Sequence, residues 1–129
     1  MHTMLRAVGF VLLSSWLAGA AFGQGQDGSF YLQVCGAAVK QSDGEQLRQE
    51  EGLGAIYCAS YIGGFLDAVS LTTTLNKGNK IICAPERGIT NDQAARILVK
   101  YLRESPETLH QSGRMSLYVA LAKAFPCAK

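Results

Sequence analysis

Four cysteines in a short chain place the strongest limit on how this sequence can fold. Cys35, Cys58, Cys83 and Cys127 are the only cysteines among 129 residues. No C-x-x-C pair and no cluster of histidines accompanies them, so the pattern favours two disulfides over a zinc site or a redox motif. Each bridge would add about 3 kcal/mol to the free energy of unfolding in a chain-entropy treatment, a large share of the total for a small domain.

The amino-terminal sequence predicts export. Arg6 precedes a run of uncharged, mostly apolar residues at 7–21, and Ala21-Phe22-Gly23 supplies the small residues that signal peptidase requires. We expect residues 1–23 to be a cleaved signal peptide and residues 24–129 to form a single domain. A membrane anchor is the alternative, but a spanning helix needs ~20 apolar residues. The rest of the chain is expected to hold no second run of that length, hence no membrane attachment after cleavage.

The charge balance and the scarcity of reactive side chains exclude several function classes. The chain has 12 Lys and Arg against 10 Asp and Glu, which lacks the basic patch of a nucleic-acid-binding protein. His110 is the only histidine after the predicted signal peptide, and no G-x-S-x-G motif or glycine-rich phosphate loop occurs. The sequence therefore predicts a protein that is not an enzyme and uses no cofactor, metal or nucleic acid.

The spacing of apolar residues predicts an all-α domain of four to five helices, stapled by the two disulfides. The predicted helices run from Phe30 to about Gln41 with Ser29 as the cap, from Leu53 to about Leu75, from a cap at Thr90 to about Glu104, and from Arg114 to Phe125. The first segment would also suit a short strand, and residues 45–52 would be a charged linker or a frayed helix. The inward faces of the last two helices are predicted to be Ala94, Ile97, Leu98, Tyr101 and Leu102, and Leu117, Ala120, Leu121, Ala124 and Phe125.

The longest predicted helix has a second face of small residues that includes Ala59, Gly63 and Gly64. Two glycines inside a helix cost ~1 kcal/mol each relative to alanine, so they need a compensating reason. One hypothesis is close packing against another helix, from the same chain or from a symmetry mate. The alternative is that the two glycines kink the helix.

The four cysteines allow three disulfide pairings. If the third and last helices are antiparallel, Cys127 returns towards Cys83. That arrangement favours Cys83–Cys127 with Cys35–Cys58, while the other two pairings stay open.

An ordered set of short motifs is more specific than any of them alone. The motifs are Tyr57-Cys58-x-x-Tyr61-Ile62-x-Gly64-x-x-Asp67-Ala68, Ile82-Cys83-Ala84-Pro85, Thr90-x-x-Gln93, Lys100-Tyr101-Leu102, Ser105-Pro106-Glu107-x-Leu109-His110 and Ala120-Leu121-x-x-Ala124-Phe125-Pro126-Cys127. This order resembles the Rap/Tai family, the immunity proteins of bacterial type VI secretion systems, over about residues 30–127. One departure is that Gln111-Ser112-Gly113 stands where the family often has a proline, which puts the local conformation of that turn in doubt.

The resemblance implies a periplasmic, helical and usually dimeric protein. It also implies that the cognate partner is a peptidoglycan amidase effector, whose catalytic cleft the immunity protein plugs or covers without doing chemistry itself. The alternative functions are a periplasmic acid-stress chaperone, a class generally held by one disulfide, and a small lipid or ligand carrier, which would need an apolar cavity.

The residues that match the family pattern are mostly cysteine, glycine, proline and apolar side chains, which indicate a scaffold. Specificity for the partner should therefore lie in polar residues outside the pattern. The candidates are His110, Gln111, Ser112 and Arg114 in the turn 108–116, then Asp92, Arg96, Lys100 and Arg103 on the third helix, and then Glu50 and Glu51.

Overall fold

The computed structural model describes residues 26–128, and the predicted signal peptide at 1–23 lies outside the described residues. The described chain forms α1 (Gly28–Ser42), α2 (Gln49–Leu75), α3 (Asn91–Glu104) and α4 (Gly113–Ala124), with one turn of 3-10 helix at Pro106–Thr108. No β-strand occurs between residues 26 and 128; Asp27 and Ser112 form an isolated antiparallel bridge. The prediction of an all-α fold is confirmed, and the first segment is a helix.

Two helices begin earlier than the sequence analysis predicts. The N-cap of α1 is Asp27, whose carboxylate accepts a hydrogen bond from the Phe30 N–H at 3.0 Å, so the assignment of Ser29 as the cap was wrong. The start of α2 falls within the predicted linker, because the Glu51 carboxylate accepts from the Arg48 N–H at 3.1 Å. That bond satisfies an amide which would otherwise lack an intrahelical partner.

The core lies between α1, α2 and α3, and α4 closes it against α3. The largest fully buried side chains include Ile62, Leu98, Leu102, Leu117 and Leu121. Four of these five residues, the leucines, lie on the two helix faces predicted to point inward. The helical spacing of apolar residues therefore identified the centre of the core.

The edges of the core differ from the prediction, because α3 has neighbours on two sides. Both α1 and α4 pack against it, which buries Ala95 and Val99 as well. Ile97 and Tyr101 are only partly buried. On α4, Ala124 is exposed, which contradicts its predicted inward position.

The disulfides are Cys35–Cys58 and Cys83–Cys127, which confirms the favoured pairing. The first joins α1 to α2, and both of its cysteines are fully buried. The second joins the segment before α3 to the residues after α4, where the Cys83 N–H also donates to the Phe125 carbonyl at 3.0 Å. Cys127 is exposed, so the two bridges differ sharply in their access to solvent.

Helix α2 is apolar on two opposite faces. Its inner face carries the buried Cys58 and Ile62, whereas Leu53, Leu71 and Leu75 on the outer face are 59–72% exposed. By length and composition alone α2 is apolar enough to cross a membrane. The expectation that no further segment of spanning length follows the leader was therefore wrong.

Mild reduction of the native protein is expected to break Cys83–Cys127 before Cys35–Cys58. Thiol–disulfide exchange requires access of the attacking thiolate to a sulfur atom, and only the second bridge has an exposed cysteine. Alkylation of the freed thiols followed by peptide mass spectrometry would identify the order. Alkylation of Cys35 and Cys58 first, in protein that keeps its helical circular dichroism, would contradict the prediction.

Candidate partner-binding site

The loop between α3 and α4 presents polar side chains on a folded backbone. His110, Gln111 and Arg114 are exposed, and Ser112 is half-buried. The Gln111 N–H donates to the Thr108 carbonyl at 2.9 Å. Ser112 is the N-cap residue of α4, although its side chain makes no capping hydrogen bond within the described chain. The structure thus brings four predicted contact residues together on one loop.

The backbone of this loop is paired with the start of α1. The Gly28 N–H donates to the Gln111 carbonyl at 2.9 Å, and the Gly113 N–H donates to the Gln26 carbonyl at 2.9 Å. A third bond, from the Ser29 N–H to the Leu109 carbonyl, measures 3.1 Å. These three hydrogen bonds fix the loop relative to the core, so the exposed side chains of the loop are attached to a backbone of defined position.

An aromatic cluster, consisting of Phe30, Tyr31, Tyr57 and Tyr61, lies beside the loop. The Tyr31 and Tyr61 ring centroids are 4.6 Å apart, and the Phe30 ring meets Tyr57 edge-on at 5.2 Å. Such pairs contribute about 0.5–1.5 kcal/mol each beyond the area they bury. The cluster therefore joins the start of α1 to the amino-terminal half of α2.

Two tyrosines of this cluster, Tyr31 and Tyr61, have a raised pKa. Burial, followed by a hydrogen bond with Tyr57, raises the pKa of Tyr31 above its ordinary value. Burial also raises the pKa of Tyr61, while a hydrogen bond from Tyr31 and the positive charge of Arg114 act in the opposite direction. Arg114 thus lies close enough to Tyr61 to oppose the rise in its pKa, so the aromatic cluster and the loop are adjacent.

The sequence analysis did not identify this cluster. The available signal was the pair Tyr57 and Tyr61, which stand about one helical turn apart in the sequence.

At 1.5 Å per residue, Asp92 lies about 18 Å from the last residue of α3 and Arg96 about 12 Å from it. The Arg96 guanidinium contacts the Asp43 carboxylate at 2.7 Å and the Asp92 carboxylate at 2.9 Å. These hydrogen bonds raise the pKa of Arg96, and the bond from Arg96 lowers the pKa of Asp92. The pair connects the end of α1 to the start of α3 and is not part of the loop. Lys100, further along the helix, lies 3.9 Å from Glu104.

Glu50 and Glu51 belong to the first turn of α2 and take part in ion pairs. The Glu51 carboxylate accepts from Arg48 and from Lys40 Nζ, the latter at 3.2 Å. The bond from the Arg48 backbone N–H is the largest cause of a Glu51 pKa lowered to about 2, and the bond from Lys40 is the next. Glu50 lies 2.8 Å from the Arg48 guanidinium. The Lys40–Glu51 pair therefore connects α1 to α2, whereas the pairs of Arg48 lie within the start of α2.

The two adjacent glycines of α2 have different surroundings, since Gly63 faces another helix and Gly64 does not. The Asn91 side chain donates to the Ala59 carbonyl at 3.2 Å, and a Cβ added at Gly63 would lie 3.3 Å from Asn91 Nδ2. The close approach at Gly63 is therefore to the first residue of α3. A Cβ at Gly64 would meet no atom of the described chain within 4 Å, so Gly64 faces outward.

Gly64 stands at the centre of an exposed row, here called the outer stripe. Its members share one face of α2 at spacings of three and four residues: Leu53, Tyr57, Ser60, Gly64, Ala68, Leu71 and Leu75. The row is symmetric about Gly64 in sequence, because Leu53 mirrors Leu75 and Tyr57 mirrors Leu71. Large apolar side chains thus occupy both ends of the stripe and small residues occupy its middle.

A groove of about 450 Å³ lies between the carboxyl-terminal half of α2 and the segment 80–89. Leu66, Val69 and Ile82 contribute to its apolar lining. Within residues 26–128, no group of three or more His, Cys, Asp or Glu side chains is placed to hold a metal ion.

The loop and the outer stripe, carried on a disulfide-bonded helical scaffold, define a small protein suited to contacts with other proteins. A sequence profile of the Rap1a immunity proteins matches residues 27–127. The chain belongs to this family, which implies an immunity function exerted by binding a partner effector. Immunity proteins of this kind are typically non-enzymatic, and the two disulfides suggest an oxidising, exported compartment. No curated protein and no solved structure matches the chain.

Glu51→Gln is expected to destabilise the protein near neutral pH and progressively less in acid. The folded-state pKa of Glu51 lies below the ordinary 4.5, so its charged form stabilises the fold above pH 4.5. That contribution disappears as the pH falls from 4.5 towards 2. Urea unfolding of the wild type and the variant between pH 2 and 7 would measure the difference. Glu86→Gln, which removes an exposed carboxylate that forms no ion pair within the described chain, is the matched control; equal pH dependence in both variants would contradict the prediction.

Proposed function

We propose that this chain is a periplasmic immunity protein that binds a peptidoglycan amidase effector of a type VI secretion system and covers its catalytic cleft. The single observation that carries the proposal is the loop 108–114, where exposed polar side chains stand on a hydrogen-bonded backbone. Family membership supports the immunity function. The ordered motifs resemble those of the Rap/Tai proteins and support an amidase as the target, and the disulfides with the predicted signal peptide support the periplasm.

Inhibition in this proposal is occlusion and involves no bond-making by the immunity protein. A preorganised loop enters a cleft at a smaller cost in conformational entropy than a mobile one. Arg114 is a residue type that often dominates the energetics of protein interfaces, and His110 and Gln111 can both donate and accept hydrogen bonds. Asp92 and Arg96 form a secondary candidate contact, because their paired charges remain partly exposed. The mature protein would act without a cofactor or nucleic acid, and α2 would stay out of the membrane because its inner face, with Cys58 and Ile62, is part of the core.

The function is tested by rescue from lysis in the periplasm. The full chain, with its leader, is co-expressed with the exported product of the neighbouring gene, and cell lysis is followed over time. Protection that is lost when residues 1–23 are deleted would support a periplasmic immunity role. Failure to protect cells from a toxic amidase, despite folded and oxidised protein, would contradict that pairing.

The loop residues are expected to contribute directly to affinity. Simultaneous replacement of Gln111, Ser112 and Arg114 by alanine should raise the Kd for the amidase at least tenfold, or ~1.4 kcal/mol. Isothermal titration calorimetry would measure the Kd, and thermal unfolding would report the integrity of the fold. The matched control replaces Gln41, Asn79 and Arg87, which are exposed residues outside the loop and outside α3. An unchanged Kd for the loop variant, with intact folding, would contradict the assignment of the loop.

We further propose that two copies of the chain associate through the outer stripe of α2. In a twofold-symmetric dimer, residue i of one copy contacts residue j of the other and j contacts i. If two α2 helices cross antiparallel at Gly64, the sequence symmetry places Leu53 against Leu75 and Tyr57 against Leu71. The absence of a side chain at Gly64 lets the two backbones approach closely. Burying these exposed side chains would supply the hydrophobic driving force.

Gly64→Leu is expected to abolish the dimer without destabilising the monomer. The position is open in the described chain, and leucine has a higher helix propensity than glycine, whereas a side chain there would separate the crossing helices. Sedimentation equilibrium would measure association. Gly52→Leu adds the same side chain at another open glycine of α2 and should leave the dimer intact. A monomeric wild type, or a Gly64→Leu variant that still dimerises, would overturn the proposed interface.

A further inference from the structure

We infer that the residues just before and at the start of α1 form a clasp that positions the partner-binding loop; this inference rests on the proposed function. The clasp consists of residues 26–29. It exchanges three backbone hydrogen bonds of 2.9–3.1 Å with the loop, through the carbonyl of Gln26 and the N–H groups of Gly28 and Ser29. These bonds link segments about eighty residues apart in the sequence, so they hold the loop from outside its own helices.

Two glycines make room for the clasp. A Cβ at Gly113 would overlap the Tyr31 ring, and it would lie 3.0 Å from the Gln26 carbonyl oxygen. A Cβ at Gly28 would lie 2.9 Å from Leu102 Cδ2 and 3.1 Å from the Leu109 backbone. Neither glycine has a positive φ, so the requirement at both positions is for space. The clasp and the loop can approach this closely only because neither Gly28 nor Gly113 has a side chain.

The clasp is fixed in turn to the body of the protein. Asp27 caps α1 and also pairs with Ser112, so the start of the helix and the pairing with the loop depend on the same residue. Tyr31, one helical turn later, is 3% exposed and packs against both Gly113 and the Tyr61 ring. The position of the loop is therefore set by how α1 begins, and α1 is bonded covalently to α2 by the Cys35–Cys58 disulfide.

The clasp is expected to act on affinity through the population of the binding-competent loop. When only a fraction of molecules holds the competent conformation, the apparent Kd equals the intrinsic Kd divided by that fraction. A loop that is in place about one tenth of the time would therefore bind about tenfold more weakly. This effect requires no clasp residue to touch the partner, which makes Gly28 and Gly113 positioning residues.

The test compares three glycine-to-alanine variants of the leader-processed protein. Gly113→Ala and Gly28→Ala each place a methyl group at a crossing point, with the more severe overlap at Gly113. Gly36→Ala is the control, because it lies on α1 with no described atom within 4 Å of its added Cβ. If Gly113→Ala fails to fold, Gly28→Ala carries the test.

The first measurement is amide hydrogen exchange in the free protein, which does not depend on any partner. The N–H groups of Gly28, Ser29 and residue 113 should lose protection in both clasp variants but keep it in Gly36→Ala. The Leu98 amide, within α3, should stay protected in all three variants. Unchanged protection of the clasp amides in both folded variants would overturn the inference.

The second measurement is the Kd for the amidase. We expect an increase of about tenfold in Gly113→Ala, a smaller increase in Gly28→Ala and no change in Gly36→Ala. Urea unfolding of each variant confirms that it is folded under the conditions of the Kd measurement. Loss of amide protection with an unchanged Kd would overturn the positioning role. If the wild type itself does not bind the amidase, the proposed function fails while the exchange experiment still decides whether the clasp holds the loop.

Discussion

The buried Cys35–Cys58 disulfide fixes α1 to α2, and the remaining contacts of the fold are arranged around that junction. Both cysteines are fully buried among apolar side chains, so the covalent link runs through the core and not along an edge. Loss of a native disulfide from a small exported domain costs about 2–5 kcal/mol, comparable with the total stability of many such domains. With α1 held in this way, it packs against α3 as well as α2, and α4 packs against α3 in turn.

The two ends of α1 then connect to different parts of the molecule. Its first residues pair with the loop before α4, whereas Asp43, just after its end, contacts Arg96 near the start of α3. The first connection consists of backbone hydrogen bonds beside a buried aromatic ring, and the second is an ion pair that remains partly exposed to solvent. Exposed ion pairs contribute about 0–1 kcal/mol. The loop end of α1 is thus held by the stronger set of contacts, which suits a surface that must be preorganised for a partner.

Helix α2 carries apolar side chains on both its inner face and its outer face. Its inner face belongs to the core, but its outer stripe also carries large aliphatic side chains that the described chain does not cover. The high mean hydropathy of α2 follows from this double use. One helix thus supplies the core with Cys58 and Ile62 and, in the proposed dimer, the partner copy with Leu71 and Leu75. Because Tyr57 belongs both to the aromatic cluster and to the outer stripe, the proposed self-association surface begins close to the loop.

The sequence by itself determined the features that depend on neighbours along the chain. The apolar period located the helices and the buried Leu98 and Leu117, and the Thr90 cap is present, with the Gln93 N–H donating to its hydroxyl at 3.1 Å. Only the tertiary structure decided that α3 is buried on two sides and that the candidate loop is paired with residues 26–29. The physical reason is that helical period and capping act within about one turn of helix. The approach of distant segments depends instead on packing and on the space left by single glycines, such as Gly28 and Gly113, which no local pattern encodes.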